Sequence, residues 1–278
     1  MLGKLFKYDM KALSRTLVPL HVAVLVLGLV SCVAGFAGHT VGESGSSPER
    51  NVFMAVMTLA FLLSMVALFV AVVATFVIVI ARFYRNLFTD EGYLTLTLPV
   101  NANQIMLSKT LAGLLWMCID VVVVSLCAVL ASLGAYGFVE GALDSTVPYW
   151  MLSAAGGDLF GSEGWGSVLV GMANTGAQLV FGLLLAYLSF TLGARMAERH
   201  KVAAGIGIYV LLGWILGLAG GIGAIVASSA TIYWGSVTFD YDVFTFFMSA
   251  ASWVLLLGGA AICYALCVHL LKRRIELT

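Results

Sequence analysis

A single acidic residue, Asp120, lies deep within a long apolar stretch, about eleven residues after that stretch begins. A charged carboxylate near the centre of a bilayer costs about 2.5–3.5 kcal/mol on insertion scales, so an acid at this depth requires a reason. Two interpretations stay open: a functional group (proton relay, substrate contact or intramembrane partner), or a protonated acid hydrogen-bonded to a neighbouring helix. Asn174 and Gln178 recur with Gly171 on one face of a later apolar stretch. We predict that this face points into a helix bundle. Asp120, Asn174 and Gln178 are then candidates for residues that line a pathway or pair helices.

The sequence lacks several motifs by which enzymes are recognised. The five cysteines all lie in apolar stretches, with neither CxxC nor metal-ligand spacing. The motifs H-E-x-x-H and G-x-S-x-G are absent, as are paired intramembrane aspartates. No G-x-x-x-x-G-K-[ST] phosphate loop is present either. We predict no catalytic residue, no metal site and no cofactor in this chain, which is then not an enzyme by itself, and we expect no nucleic-acid partner.

Composition places the chain in a membrane. Hydrophobic residues make up 62% of its 278 residues and charged residues 10%, with a mean hydropathy of +1.05. Soluble domains carry about 25% charged residues, so most of this surface must face lipid. A helix crosses the hydrocarbon core with about 20 apolar residues. The charge-free runs therefore predict one all-α domain with six transmembrane helices, at about 17–38, 52–81, 110–139, 167–194, 202–231 and 246–271.

The basic residues separate sharply between the two sides of these predicted spans. Thirteen of the fourteen lysines and arginines fall on one side, and the other side keeps only Arg50 together with most of the acids. Because basic residues mark cytoplasmic loops, we predict that both termini are cytoplasmic.

The first sixteen residues read as an amphipathic helix. Its basic residues fall in one narrow sector at 100° per residue, opposite an apolar sector; they are Lys4, Lys7, Lys11 and Arg15. Such a helix is expected to lie in the cytoplasmic interface, with its lysines toward anionic headgroups of the lipid bilayer. The alternative is an ordinary cluster of charges that sets topology.

A glycine repeat marks the fifth predicted span. Gly213, Gly217 and Gly221 form a small-xxx-small face, which favours close helix packing. The alternative is a helix broken at Gly220, Gly221 and Gly223, as in some secondary transporters.

The longest connection on the basic side is residues 82–109, named here the elbow. Thr89 is placed to cap a short helix whose first turn carries acids, and Asn101 with Gln104 forms a capping box that starts the third span. The pattern predicts an ordered element with an acidic and aromatic surface, punctuated by Gly92 and Pro99.

The basic arm, the six-span layout and the elbow together resemble the permease subunits of the type-2 group of ABC transporters (the ABC-2 family). Within the elbow, Asp90-Glu91-Gly92, the Leu98-Pro99 step and the run from Ile105 to Lys109 are similar to the acid–Gly, Leu-x-x-Pro, Ile and Lys pattern of that family.

The resemblance implies a bacterial plasma-membrane protein that usually exports its substrate. It implies that the elbow docks onto a separate cytoplasmic ABC ATPase subunit, which holds ATP and Mg, and that the permease pairs with a second copy or a related permease chain. The docking residues would be Asp90, Glu91, Gly92, Tyr93 and Pro99. Two other functions stay open: an ion-coupled secondary transporter that uses Asp120, and a non-transporting membrane scaffold or immunity protein.

Overall fold

A computed structural model describes residues 2–42, 48–89, 101–142, 164–197, 199–234 and 241–275. This part of the chain contains α-helices and no strand. The helices are α1 (Leu2–Gly42), α2 (Pro48–Phe88), α3 (Ala102–Ala142), α4 (Gly164–Met196), α5 (Lys201–Trp234) and α6 (Tyr241–Ile275).

All six helices are long and apolar enough to cross a membrane. Each predicted span lies inside one of them, so the all-α, multi-pass architecture predicted from the sequence is confirmed. The first three helices have 41 residues each. At about 1.5 Å per residue each is about 60 Å long, twice the thickness of the hydrocarbon core. These helices therefore extend well beyond the length that a perpendicular crossing needs.

The basic arm and the first span form one helix, because α1 runs from Leu2 to Gly42 and contains Pro19. The four basic side chains of the arm are exposed, whereas Leu13 and Leu17 are buried. The helix does not end near residue 16, where the predicted interfacial helix was expected to give way to the first span. Its placement in the membrane interface stays a prediction.

The chain folds into two compact units. Unit 1 comprises residues 1–5, 80–111 and 174–278, and unit 2 comprises residues 6–79 and 112–173. Unit 1 thus holds the elbow's two helical ends, residues 82–88 and 102–109, which we call its flanks, together with most of α4 and all of α5 and α6. Unit 2 holds most of α1 and α2 and the later part of α3.

Unit 2 is packed around small and aliphatic side chains of α1, α2 and α3. Val24, Leu68, Ala71 and Cys127 form its buried cluster. The Cys127 thiol donates to the carbonyl oxygen of Val24 over 3.5 Å. Gly28 lies against the same thiol, since a Cβ on Gly28 would be 2.7 Å from the Cys127 sulfur. Helices α1 and α3 approach closely here because Gly28, the α1 residue at the contact, has no side chain.

Unit 1 is packed around α4, whose residues 183–191 are all buried. Phe83 of α2 stacks on Tyr187 of α4, with ring centroids 3.8 Å apart. Just after this buried stretch, α4 contacts α5 at two glycines, Gly193 and Gly205. A Cβ on Gly193 would lie 2.6 Å from the Cα atom of Gly205, so neither position has room for a larger residue without moving a helix.

Candidate functional site

Three helices of unit 2 bring polar side chains around Asp120. His21 on α1, Thr75 on α2 and Asp120 on α3 are 5%, 1% and 5% exposed. The Thr75 hydroxyl lies 3.1 Å from Asp120 Oδ1, and His21 Nε2 lies 3.3 Å from the same oxygen. These three residues are called the acid cluster below. The carboxyl group found by sequence is therefore not alone, because two other helices supply polar partners.

The hydrogen bond that His21 makes to the backbone shows which of its ring nitrogens carries a proton. Nδ1 lies 2.7 Å from the backbone carbonyl oxygen of Leu17, one helical turn earlier. A carbonyl oxygen only accepts hydrogen bonds, so Nδ1 must carry a proton. Nε2, the nitrogen that faces Asp120, is therefore either a bare lone pair or the second N–H of an imidazolium.

Thr75 has one hydroxyl proton and two acceptors within reach. Its oxygen lies 3.1 Å from the carbonyl oxygen of Ala71 and 3.1 Å from Asp120 Oδ1. The proton can be donated to one of these oxygens at a time. When it is donated to Ala71, the Thr75 oxygen is free to accept a hydrogen bond from a neutral Asp120.

Hydrogen-bonding capacity is left over beside the cluster. His21 Nε2 is at ion-pair distance from Asp120 but lacks the alignment of a regular hydrogen bond, and it has no other partner in the described structure. The indole nitrogen of Trp116 is also buried without a partner. The rings of His21 and Trp116 lie 5.7 Å apart. His21 Nε2 can therefore take another proton, whereas the Trp116 N–H, beside the His21 ring, can only donate a hydrogen bond, for example to a small polar molecule.

The acid cluster lies well inside the membrane-spanning parts of its helices. The nearest basic residues on α1, α2 and the start of α3 are Arg15, Arg82 and Lys109, which are six, seven and eleven residues from the cluster. At about 1.5 Å per residue, these separations are rises of about 9, 10 and 16 Å. A hydrocarbon core about 30 Å thick would hold the cluster in its interior.

The sequence predicted Asp120 but not its partners. His21 lies near the start of the first predicted span, and nothing in its position indicated that it is buried against Asp120. The available signal was that one ionisable ring and one acid each lie in a span without other charges.

Asn174 has a buried carbonyl oxygen without a partner in the described structure, and Gln178 is exposed. Their pairing with Asp120 stays a prediction.

The predicted glycine face of α5 is bare in this chain. A Cβ on Gly213, Gly217 or Gly221 would meet no atom within 4 Å. Within the part of the chain that the structure describes, these glycines do not pack against another helix. Helix α5 instead approaches a neighbour, α4, closely where Gly205 meets Gly193.

The five predicted ATPase-docking residues lie outside the described residues; they are Asp90, Glu91, Gly92, Tyr93 and Pro99. Both flanks of the elbow are described. The Thr89 hydroxyl donates to the carbonyl oxygen of Arg85 over 2.5 Å, at the end of α2. The carbonyl oxygen of Asn101 accepts from the amides of Gln104 and Ile105 over 2.8 and 3.2 Å. The predicted start of the next helix at Asn101 is thus confirmed, and α3 runs from it through the third span.

Each helical flank of the elbow carries deeply buried apolar side chains. Phe83 and Leu87 of α2, and Ile105 and Met106 of α3, are at most 2% exposed. The elbow therefore begins and ends on side chains that are packed tightly and resist displacement.

No protein-family model, no curated protein and no solved structure matches this chain. Its function is inferred from its own residues and their geometry.

Proposed function

We propose that this protein is the membrane-spanning permease subunit of an ABC exporter, forming the translocation pathway and coupled through the elbow to a separate ATP-hydrolysing subunit. The observation that supports this proposal best is the burial of both elbow flanks, Phe83 with Leu87 and Ile105 with Met106. A loop that passes on a mechanical signal needs ends that are fixed to the helices it moves. A connector that merely joins two spans needs no such anchoring.

The contacts of unit 1 give such a signal a route into the membrane. Phe83 stacks on Tyr187 of α4, and the Tyr187 hydroxyl lies 3.4 Å from the carbonyl oxygen of Lys109 on α3. On α6, the Tyr264 hydroxyl lies 3.4 Å from the carbonyl oxygen of Asn103. A displacement of the elbow would thus act on α4 and α6 through packed side chains, which shift between discrete arrangements rather than deform smoothly.

The nucleotide site belongs to the partner in this proposal. The chain has no phosphate loop, so the cytoplasmic ATPase supplies ATP and Mg. The proposal places the protein in the bacterial plasma membrane, with both termini and the elbow on the cytoplasmic side.

A second permease copy, or a related permease chain, completes the pathway in this proposal. Among the described residues, helix α5 is the least covered, since 6% of its span is buried, against 61% of the α4 span. Its glycine face and its exposed Trp214 are available for another subunit. Close approach at such a face is how small residues associate helices in lipid.

Co-purification tests the coupling directly. The tagged permease is extracted into nanodiscs, and the retained ATPase and its hydrolysis are measured for wild type and for Asp90→Lys combined with Glu91→Lys. Reversing charges across a contact costs several kcal/mol, so we expect association to weaken at least about tenfold, with loss of substrate-stimulated hydrolysis. The control is Glu43→Lys with Glu49→Lys, which makes the same charge change in the first outer connection. Wild-type binding and hydrolysis in the elbow variant would refute the assignment.

Ion-coupled secondary transport is the alternative function that one observation favours, namely the buried pair of His21 and Asp120. It predicts substrate movement that is driven by an ion gradient in liposomes containing this chain alone. The proposed exporter predicts movement only when the ATPase and ATP are present.

A further inference from the structure

The distances around His21 indicate how many protons the acid cluster holds. Nδ1 of His21 is always protonated, because it faces the carbonyl oxygen of Leu17 at 2.7 Å. If no further proton were present, the bare Nε2 lone pair would face an ionised Asp120 oxygen over 3.3 Å. Two acceptors would then oppose each other around an uncompensated buried charge, which is the costliest arrangement open to this site. One additional proton between Nε2 and the carboxyl group removes both problems.

Thr75 allows that proton to rest on either partner. With the proton on His21, Asp120 is ionised and Thr75 donates to it. With the proton on Asp120, the acid donates to His21 Nε2, and Thr75 donates to the carbonyl oxygen of Ala71. Neither arrangement leaves the Thr75 hydroxyl without an acceptor, so the cluster is satisfied in both.

We propose that His21, Thr75 and Asp120 form an intramembrane binding site for one exchangeable proton, held between His21 Nε2 and the Asp120 carboxyl group. Proton uptake from water forms one N–H or O–H bond and brings the cluster from a net charge of −1 to zero. Release reverses this step and needs no other reactant. The site goes beyond coupling to an ATPase, since its occupancy does not require a partner subunit.

The groups that set this equilibrium come from three helices. Helix α1 supplies His21, α2 supplies the Thr75 hydroxyl, and α3 supplies Asp120 and the unpartnered indole N–H of Trp116. Of these contacts, His21 is the titratable partner of Asp120. Because the occupied site is neutral, proton binding favours the arrangement in which the three helices enclose the carboxyl group. Release favours any arrangement that admits water to it.

Infrared difference spectroscopy of the protein in nanodiscs tests the site without any partner. Spectra are recorded at about pH 5 and about pH 8, the range in which histidine charge commonly changes. We expect a pH-dependent carboxyl or imidazole signal that is lost in both Asp120→Asn and His21→Gln. The control, His269→Gln, changes a histidine that is exposed on α6 and should leave the signal intact.

Thr75→Val keeps both proton-carrying groups and guards against failure of the other variants to fold. It should retain the signal but shift its carboxyl band, because the hydroxyl that contacts Asp120 is gone. A signal that survives Asp120→Asn and His21→Gln, or a wild-type spectrum with no pH-dependent band of the pair, would overturn the proposal. Neither result bears on whether an ATPase binds the elbow.

Discussion

Replacing His21 with leucine should leave Asp120 buried in unit 2 without its ion-pair partner. The carboxyl group would keep Thr75 at 3.1 Å but lose the group that balances its charge at 3.3 Å. Removing one partner of a buried ion pair costs about 3–5 kcal/mol, and we expect the lower end because Asp120 can take up a proton. The reverse change, Asp120→Leu, leaves a neutral imidazole with one unpaired nitrogen and should cost about 1–3 kcal/mol.

The double variant should be more stable than the sum of these losses predicts. With both His21 and Asp120 replaced by leucine, no buried charge remains, and replacing a buried pair by apolar residues is often neutral or stabilising by about 1–4 kcal/mol. The two single losses sum to about 4 kcal/mol or more, and the double variant should lose almost nothing, so we expect a coupling free energy of at least about 4 kcal/mol in the double-mutant cycle.

Equilibrium unfolding in mixed micelles, followed by tryptophan fluorescence, supplies the four free energies of unfolding. The chain has six tryptophans, and each variant is compared with wild type under the same detergent composition. If the loss in the double variant equals the sum of the two single losses, the two side chains do not interact and the acid cluster is not a unit.

Two further predictions concern the helix contacts of α4 and α5. Gly193→Ala should destabilise the protein by about 1–3 kcal/mol, because its Cβ would lie 2.6 Å from the Cα atom of Gly205. Gly182→Ala, in the same helix and with no atom within 4 Å of the new Cβ, should be neutral or stabilising by about 1 kcal/mol, and equal thermal stability of these two variants would contradict the α4–α5 crossing. For the α5 face, Val210→Cys in a cysteine-free background should form disulfide-linked dimers on oxidation in membranes. Ala219→Cys, on the opposite side of the helix, should not, and equal cross-linking at both positions would argue against a subunit interface there.

The transmembrane helices could be predicted from the sequence because few backbone conformations can cross a lipid bilayer. In a bilayer each backbone polar group must be paired internally, so a charge-free run of more than about 20 residues forms a helix. The start of α3 at Asn101 was also predictable, since a capping residue acts on the amides that directly follow it. These signals are local, and local signals can be found in a single sequence.

The partners of Asp120 were not predictable for the complementary reason. His21 and Thr75 lie in two other helices, and neither belongs to a repeat that would show which face turns toward α3. The same limit explains the glycines. A repeat such as the one that ends at Gly221 shows where close packing is possible, whereas Gly193 and Gly205 are single glycines on two helices that meet only in three dimensions.

Photocrosslinking from the elbow in living cells tests most directly whether an ATPase docks there. Tyr93 is replaced by the photoreactive residue p-benzoylphenylalanine, and Ser46, in the connection between α1 and α2 that is predicted to lie on the outer side, is replaced in the same way as a control. The proposed function predicts that light links the Tyr93 position to a soluble protein with a G-x-x-x-x-G-K-[ST] phosphate loop, identified by mass spectrometry, and that the Ser46 position yields no such adduct. Absence of an ATPase adduct from the Tyr93 position, with efficient incorporation and normal membrane insertion, would contradict the assignment of this protein as an ABC exporter permease.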